Sequence, residues 1–175
     1  MRRFFTRILR AMALDPRLYE EVEADTRATG QALAVVVLSS LAAGLVSIGR
    51  PEAILADSLV GLVGWLMWAS MTYLIGTKIL AVPGTRSDVG ELLRVTGFAA
   101  APGLLRPLGA IAGLYWPVFL CTGVWMLVAM IIAIRQALDY TSTLRAFAVA
   151  VIGWLLFFGF GYILGGFSEP ASVMR

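Results

Sequence analysis

Histidine is missing from all 175 residues, and cysteine occurs once, at Cys121. Without imidazole the chain lacks the commonest general base and the usual axial ligand of haem, and zinc or copper has little to bind. A single cysteine excludes a disulfide framework within the chain. Its place in a long apolar run reads as packing rather than reactivity. Charge is also scarce, at 14% of positions against about 25% in soluble domains. Ser39, Ser40, Ser70, Thr72 and Thr122 have no base at matching depth, and there are no paired carboxylates and no metal-ligand spacing. No phosphate-cradling glycine loop followed by Lys-Ser/Thr is present. An enzyme with a cofactor or metal is therefore not expected. With a net charge of +3 and no basic groove, nucleic acid is not an expected partner either.

What the chain does have is apolar surface, at 59% of residues. No charge falls between Arg27 and Arg50, Asp57 and Lys78, Arg106 and Arg135, or Arg145 and Glu169. Crossing a hydrocarbon core of about 30 Å takes roughly 20 apolar residues as a helix, and each gap is long enough. The expected fold class is all-α: a polytopic membrane bundle of five transmembrane helices with an N-terminal amphipathic interfacial helix. The expected organisation is a cytoplasmic segment 1–28, a membrane domain 29–168 and a short tail 169–175.

The N-terminal segment places Phe4, Phe5, Ile8, Leu9 and Met12 on one helical face and Arg3, Arg7 and Arg10 on the other. It has no uninterrupted apolar region of the kind a secretory signal needs. Arg3, Phe4, Phe5, Arg7, Ile8 and Arg10 are the expected membrane-surface residues, aromatics down and arginines towards anionic lipid. The alternative is a helix packed on the rest of the protein. Asp15-Pro16 starts a second helix as N-cap and first position. Its acidic cluster, Glu20, Glu21, Glu23 and Asp25, reads as a solvated face that pairs with Arg17, Arg27 or the basic helix before it.

The expected spans run over 31–48, 55–77, 92–113, 114–134 and 146–166. The third contains Pro102, Arg106 and Pro107. With a cytoplasmic N-terminus, five spans put Arg2, Arg3, Arg7, Arg10, Arg17, Arg27, Lys78, Arg86, Arg94, Arg135 and Arg145 inside, and only Arg50, Arg106 and Arg175 outside. The positive-inside rule thus sets the orientation. A third segment that dips in and returns gives the same excess, so the rule does not fix the number of spans. The 22 residues from Leu92 to Gly113, about 33 Å as a helix, favour five.

Charge near mid-bilayer costs roughly 2.5–3.5 kcal/mol on insertion scales. Asp57 and Arg106 fall at similar depth and are expected to pair, the alternative being that Arg106 snorkels outward. Glu91 and Arg94 at the start of span three, with Arg135, Gln136 and Asp139 at the end of span four, form a second expected network, structural in role. Ser40/Gly44, Ala99/Gly103 and Gly161/Gly165 are small-xxx-small pairs that let helices approach closely.

Several stretches taken in order resemble the Yip-domain family of membrane proteins in its short prokaryote-like form. They are Leu14-Asp15-Pro16-Arg17-Leu18-Tyr19-Glu20-Glu21; Gly64-Trp65-Leu66-Met67-Trp68 through Tyr73-Leu74-Ile75-Gly76-Thr77; Glu91-Leu92-Leu93-Arg94-Val95-Thr96-Gly97-Phe98-Ala99 through Pro102-Gly103-Leu104-Leu105; and Trp125 through Ile134-Arg135-Gln136-Ala137-Leu138-Asp139-Tyr140, then Arg145-Ala146. The resemblance implies five helices and a cytoplasmic N-terminus. Eukaryotic relatives bind lipidated Ypt/Rab-type GTPases, but their Asp-Leu-Tyr-Gly-Pro signature and long N-terminal region are missing here, so that activity is not carried over.

The expected function is a non-enzymatic scaffold or accessory subunit of the cell (inner) membrane. Its partners would be membrane lipids, other membrane proteins or a second copy of itself. The C-terminus would lie opposite the N-terminus. The alternative is a small transporter or lipid-handling protein built on the broken third helix.

Overall fold

The computed structural model describes residues 2–45, 53–82, 85 and 87–166, and side chains throughout these except at 53–58, 157, 158 and 160–166. All regular structure among the described residues is helical. The helices are α1 (Arg2–Met12), α2 (Pro16–Ala24), α3 (Ala28–Gly44), α4 (Ala53–Leu74), α5 (Val89–Ala99), α6 (Tyr115–Ala137) and α7 (Thr143–Gly166). A π turn, Ile75–Ile79, closes α4, and a 3-10 helix, Ala101–Ala110, follows α5.

Local chemistry explains the boundaries. Asp15 caps α2 by accepting the Arg17 N–H at 3.0 Å, with Pro16 in the first turn. Asp88 and Glu91 form a reciprocal capping box at the start of α5. Pro102 then lacks an N–H, and its ring opposes the carbonyl four residues back, so α5 ends near Ala100. The chain continues as a tighter i→i+3 helix that holds Pro107 within it. Ten residues is long for that form.

Helix α5 is the axis of the bundle, with every residue from Val95 to Ala101 buried. Around it pack α1, α2, α3, α4 and α6, while α7 packs on α4 and α6. The core is rich in alanine, including Ala28, Ala32, Ala69, Ala99, Ala129, Ala133 and Ala146. The outer surface carries the large apolar groups: Leu59, Val60 and Val63 on α4, Leu120 and Val124 on α6, Leu155 on α7. Small residues inside and large apolar ones outside is the pattern of helices packing in an apolar solvent. Two helices are long and apolar enough to cross a membrane, Leu59–Ile79 with mean hydropathy 1.5 and Tyr115–Ala137 with 2.4. Ala28–Gly44 and Thr143–Leu156 are shorter apolar helices.

One end of the bundle is tied together by polar bonds. The Tyr140 hydroxyl lies 2.9 Å from the carbonyls of Gly76 and of Leu80, at the π turn, where the Leu80 N–H has gone to Ile75 instead of Gly76. Gln136 reaches Glu20, Arg94 reaches the last turn of α2, and Arg135 reaches Thr143. The end of α4, the start of α5, the end of α6 and the start of α7 therefore share one end. The 3-10 helix and the start of α6 lead to the other. Both α5 and the 3-10 helix run along α3 and along α6, with little contact between themselves. The segment thus traverses the bundle rather than doubling back, over about 36 Å if its two pieces are laid end to end.

Candidate functional site

Charged groups collect at this tied end, and α1 and α2 bring most of them. Arg7 is buried and meets three partners: Nε donates to Glu21 Oε1 at 3.0 Å, Nη2 to Asp25 Oδ2 at 2.7 Å and Nη1 to Gln31 Oε1 at 3.0 Å. Arg10 bridges Asp15 at 2.8 Å and Glu21 at 2.5 Å. Glu21 and Asp25, one turn apart on the α2 side, thus face two arginines one turn apart on α1. Hydrogen bonds from Arg10 and from Arg7 hold the Asp15 and Asp25 carboxyls, respectively, below their ordinary range. At Glu21 burial pulls upward, but the bonds from Arg10 and Arg7 outweigh it and the net direction is down. These three groups add stability above about pH 4 that is lost as the pH falls through their lowered values.

Arg94 is also buried, and it donates to backbone. Nε reaches the carbonyls of Val22 at 3.0 Å and Glu23 at 3.1 Å, and Nη2 bonds the Glu23 carbonyl again. These are last-turn carbonyls of α2 that lack partners within their own helix, and a cation there also suits the helix dipole. Beside it opens a cleft of about 600 Å³, whose lining includes Glu20, Glu23, Glu91, Arg135, Gln136 and Asp139. Gln136 Nε2 donates to Glu20 Oε1 at 2.7 Å. Arg135 instead stitches the α6–α7 turn, through the Tyr140 carbonyl at 3.2 Å, the Thr143 hydroxyl at 3.1 Å and the Thr141 carbonyl at 3.4 Å.

Glu23 is pushed up to about 7, first by burial and then by Glu91 and Asp139, with Arg94 opposing and Glu20 adding a little. An unfolded glutamate titrates near 4.3. The folded value is the higher, so the stabilisation is complete below about pH 4.3 and is lost as the pH rises through 7. Amide exchange within α2, corrected for its intrinsic pH dependence, should accelerate between about pH 5 and pH 7 and level off above that. Glu23→Gln should flatten that response. An unchanged slope in the variant would assign the effect to another group.

At the opposite half of the bundle stands Arg106, on the 3-10 helix and partly buried. Its side chain lies along α6, with Cζ 5.5 Å from the Phe119 ring centre and Nη2 3.7 Å from Met126 Sδ. Its Nε is buried with no hydrogen-bond partner. Among the described residues no carboxylate pairs with it, the ion pairs belonging to Arg7 and Arg10.

The sequence pattern of the Yip1 domain matches residues 10–164. The chain belongs to the Yip1 domain family. This is a family of membrane proteins, and the apolar-surfaced bundle agrees with that. No curated protein and no solved structure matches the chain. The Yip1 domain takes in α2 and α3 through most of α7, so the ion-paired segment from Arg10 onward and the broken α5 are within it, while Arg7 lies just before it.

Seen in the Yip1 domain, the sequence-expected groups divide. Glu91, Arg135, Gln136 and Asp139 come together around the cleft, with Arg94 close by, yet among the described residues no ion pair links them. The Asp57 side chain lies outside the described residues. Arg106 does not turn towards the end of its helix; it points at Met126, midway along α6. On α1, Arg3 and Phe5 are exposed and Phe4 is partly buried, but Arg7 and Ile8 are buried and Arg10 is ion-paired. The apolar residues of α1 therefore split between the bundle and the surface. The Met12 carbonyl accepts the Trp125 indole N–H at 2.9 Å, about 16 Å along α6 from Gln136. The α1–α2 hairpin is thus packed along the bundle. Spacing alone hinted at this partnership, since two acids four apart, Glu21 in α2 and Asp25 at its end, follow two arginines three apart in α1.

Proposed function

We propose that this Yip1 domain protein is a non-catalytic scaffold or accessory subunit of the cell membrane, with five crossings and a cytoplasmic N-terminus. The observation that carries the reading is the segregation of charge. Arg7, Arg10, Asp15, Glu20, Glu21, Glu23, Asp25, Glu91, Arg94, Arg135 and Asp139 meet at one end, and Arg106 stands apart from them in the other half. A folded charged cap, locked by buried arginine, offers a rigid surface where other membrane proteins or a second copy would dock. In this reading the segment Val89–Ala110 is the third crossing, since its two pieces are together longer than a hydrocarbon core of about 30 Å. Exposed Arg2, Arg3 and Phe5 on α1 are left for lipid headgroups.

Affinity capture of the full chain from membranes in mild detergent tests the reading. A stoichiometric membrane partner or a homo-oligomer should be recovered, and charge reversal at Glu20 and Asp139 should reduce that recovery. A monomer that carries no partner at any detergent concentration would contradict the scaffold role.

A further inference from the structure

We propose that Arg106 is a binding site for the phosphate of an anionic glycerophospholipid, seated in the groove between the 3-10 helix and α6. The site rests on the reading above that this part of the bundle lies in lipid. Guanidinium carries five N–H donors. Those of Arg106 meet a thioether at 3.7 Å and an aromatic face, and Nε meets nothing. A cation so placed in an apolar setting is costly unless an anion joins it. A phosphate would, through the planar paired bonds that favour arginine for this group.

The surroundings select the source of that phosphate. Arg106 lies against Phe119, which is exposed, and Met126, which is partly buried, so the groove opens to the outer surface of the bundle. Tyr115, Trp116 and Phe119 form an exposed aromatic cluster one to two turns away, with ring centres 5.3–6.1 Å apart. A free anion would have to pass hydrocarbon to reach the groove. A lipid reaches it sideways, its chains along Leu120 and Val124 and its headgroup at the level of the aromatic cluster. Acidic side chains among the described residues all belong to the other half of the bundle, so none of these offers a counter-charge to a choline or ethanolamine ammonium, and a net negative headgroup suits the described lining.

The test uses the full chain in a neutral detergent and follows thermal unfolding against added phosphatidylglycerol, phosphatidylcholine or inorganic phosphate. Phosphatidylglycerol should raise the unfolding temperature, while phosphatidylcholine and inorganic phosphate should not. Arg106→Gln should need about tenfold more phosphatidylglycerol for the same rise, equivalent to about 1.4 kcal/mol. Arg17→Gln, exposed on α2, should respond as the parent does. Arg106→Lys keeps the charge without the paired geometry, so its response should fall between; it also serves if Arg106→Gln does not fold. An undiminished response in Arg106→Gln, or equal stabilisation by phosphatidylcholine, overturns the proposal. Stabilisation by inorganic phosphate that needs Arg106 also overturns it, in favour of a soluble anion. None of these outcomes depends on capture of a protein partner, so the scaffold reading stands or falls separately.

Discussion

Gly97→Leu should leave almost no monodisperse protein after detergent extraction and size-exclusion chromatography. Gly97 lies on α5 where α3 comes closest. A Cβ there would stand 2.7 Å from Ala32 Cβ, 3.1 Å from the Ala32 carbonyl oxygen and 3.2 Å from its carbon. Two of these are backbone atoms of a helix, which cannot swing aside as a side chain does. Even alanine forces α3 away from the axis of the bundle, at roughly 1–3 kcal/mol for overpacking. Leucine adds three more carbons beyond that Cβ, against the same stretch of α3. Gly30→Leu and Gly123→Leu are the matched controls, because a Cβ at either position meets nothing within 4 Å. Both should extract and elute as the parent does. Equal yields for Gly97→Leu and the controls would mean that α3 and α5 are not in contact at this point.

Arg94→Met should release the α1–α2 hairpin while leaving the rest of the bundle extractable. Arg94 is 6% exposed and holds the carbonyls of Val22 and Glu23. Methionine fills similar volume and donates nothing. Two α2 carbonyls then face a buried region with no donor, and orphaned buried groups cost about 1–3 kcal/mol each. Glu23 also loses the one nearby cation that favours its charged form. The combined loss, of order 2–4 kcal/mol, is comparable with the stability of a docked two-helix element. Limited proteolysis should cut between Met12 and Ala28 in the variant far faster than in the parent, with α5 and α6 protected in both. Loss of protection throughout would show instead that the hairpin is needed by the whole fold. Unchanged cleavage would show that other contacts hold α2.

Much of the architecture was legible because the cues are local. Asp15-Pro16 carries a helix start in its own residues, and the structure uses it. Uncharged gaps marked each apolar helix to within a few residues. The third segment shows where such reasoning ends. Pro102 announces a break, but proline says only that an α-helix cannot continue, not that a ten-residue 3-10 helix replaces it. The charged cap was half legible. Residues at matching depth do gather at one end, since the order of the helices fixes that much. Which partner each cation takes is decided by helix rotation, and Arg94 turns to carbonyls, Arg135 to its own turn and Arg7 to α2. An amphipathic pattern likewise distinguishes two faces of α1 without saying whether lipid or protein covers either. Here protein covers the edge with Arg7, Ile8 and Ala11, and leaves Phe5 and Leu9 outward.

Five crossings require Val89–Ala110 to connect opposite sides of the membrane. Site-directed labelling addresses this most directly, in intact cells with a membrane-impermeant maleimide and Cys121→Ala as background. Ala112→Cys, in the turn between the 3-10 helix and α6, should label from outside. Ser142→Cys, in the turn between α6 and α7, should label only after the cells are opened. Protection at Ala112→Cys with external labelling at Ser142→Cys would contradict the crossing and the orientation built on it.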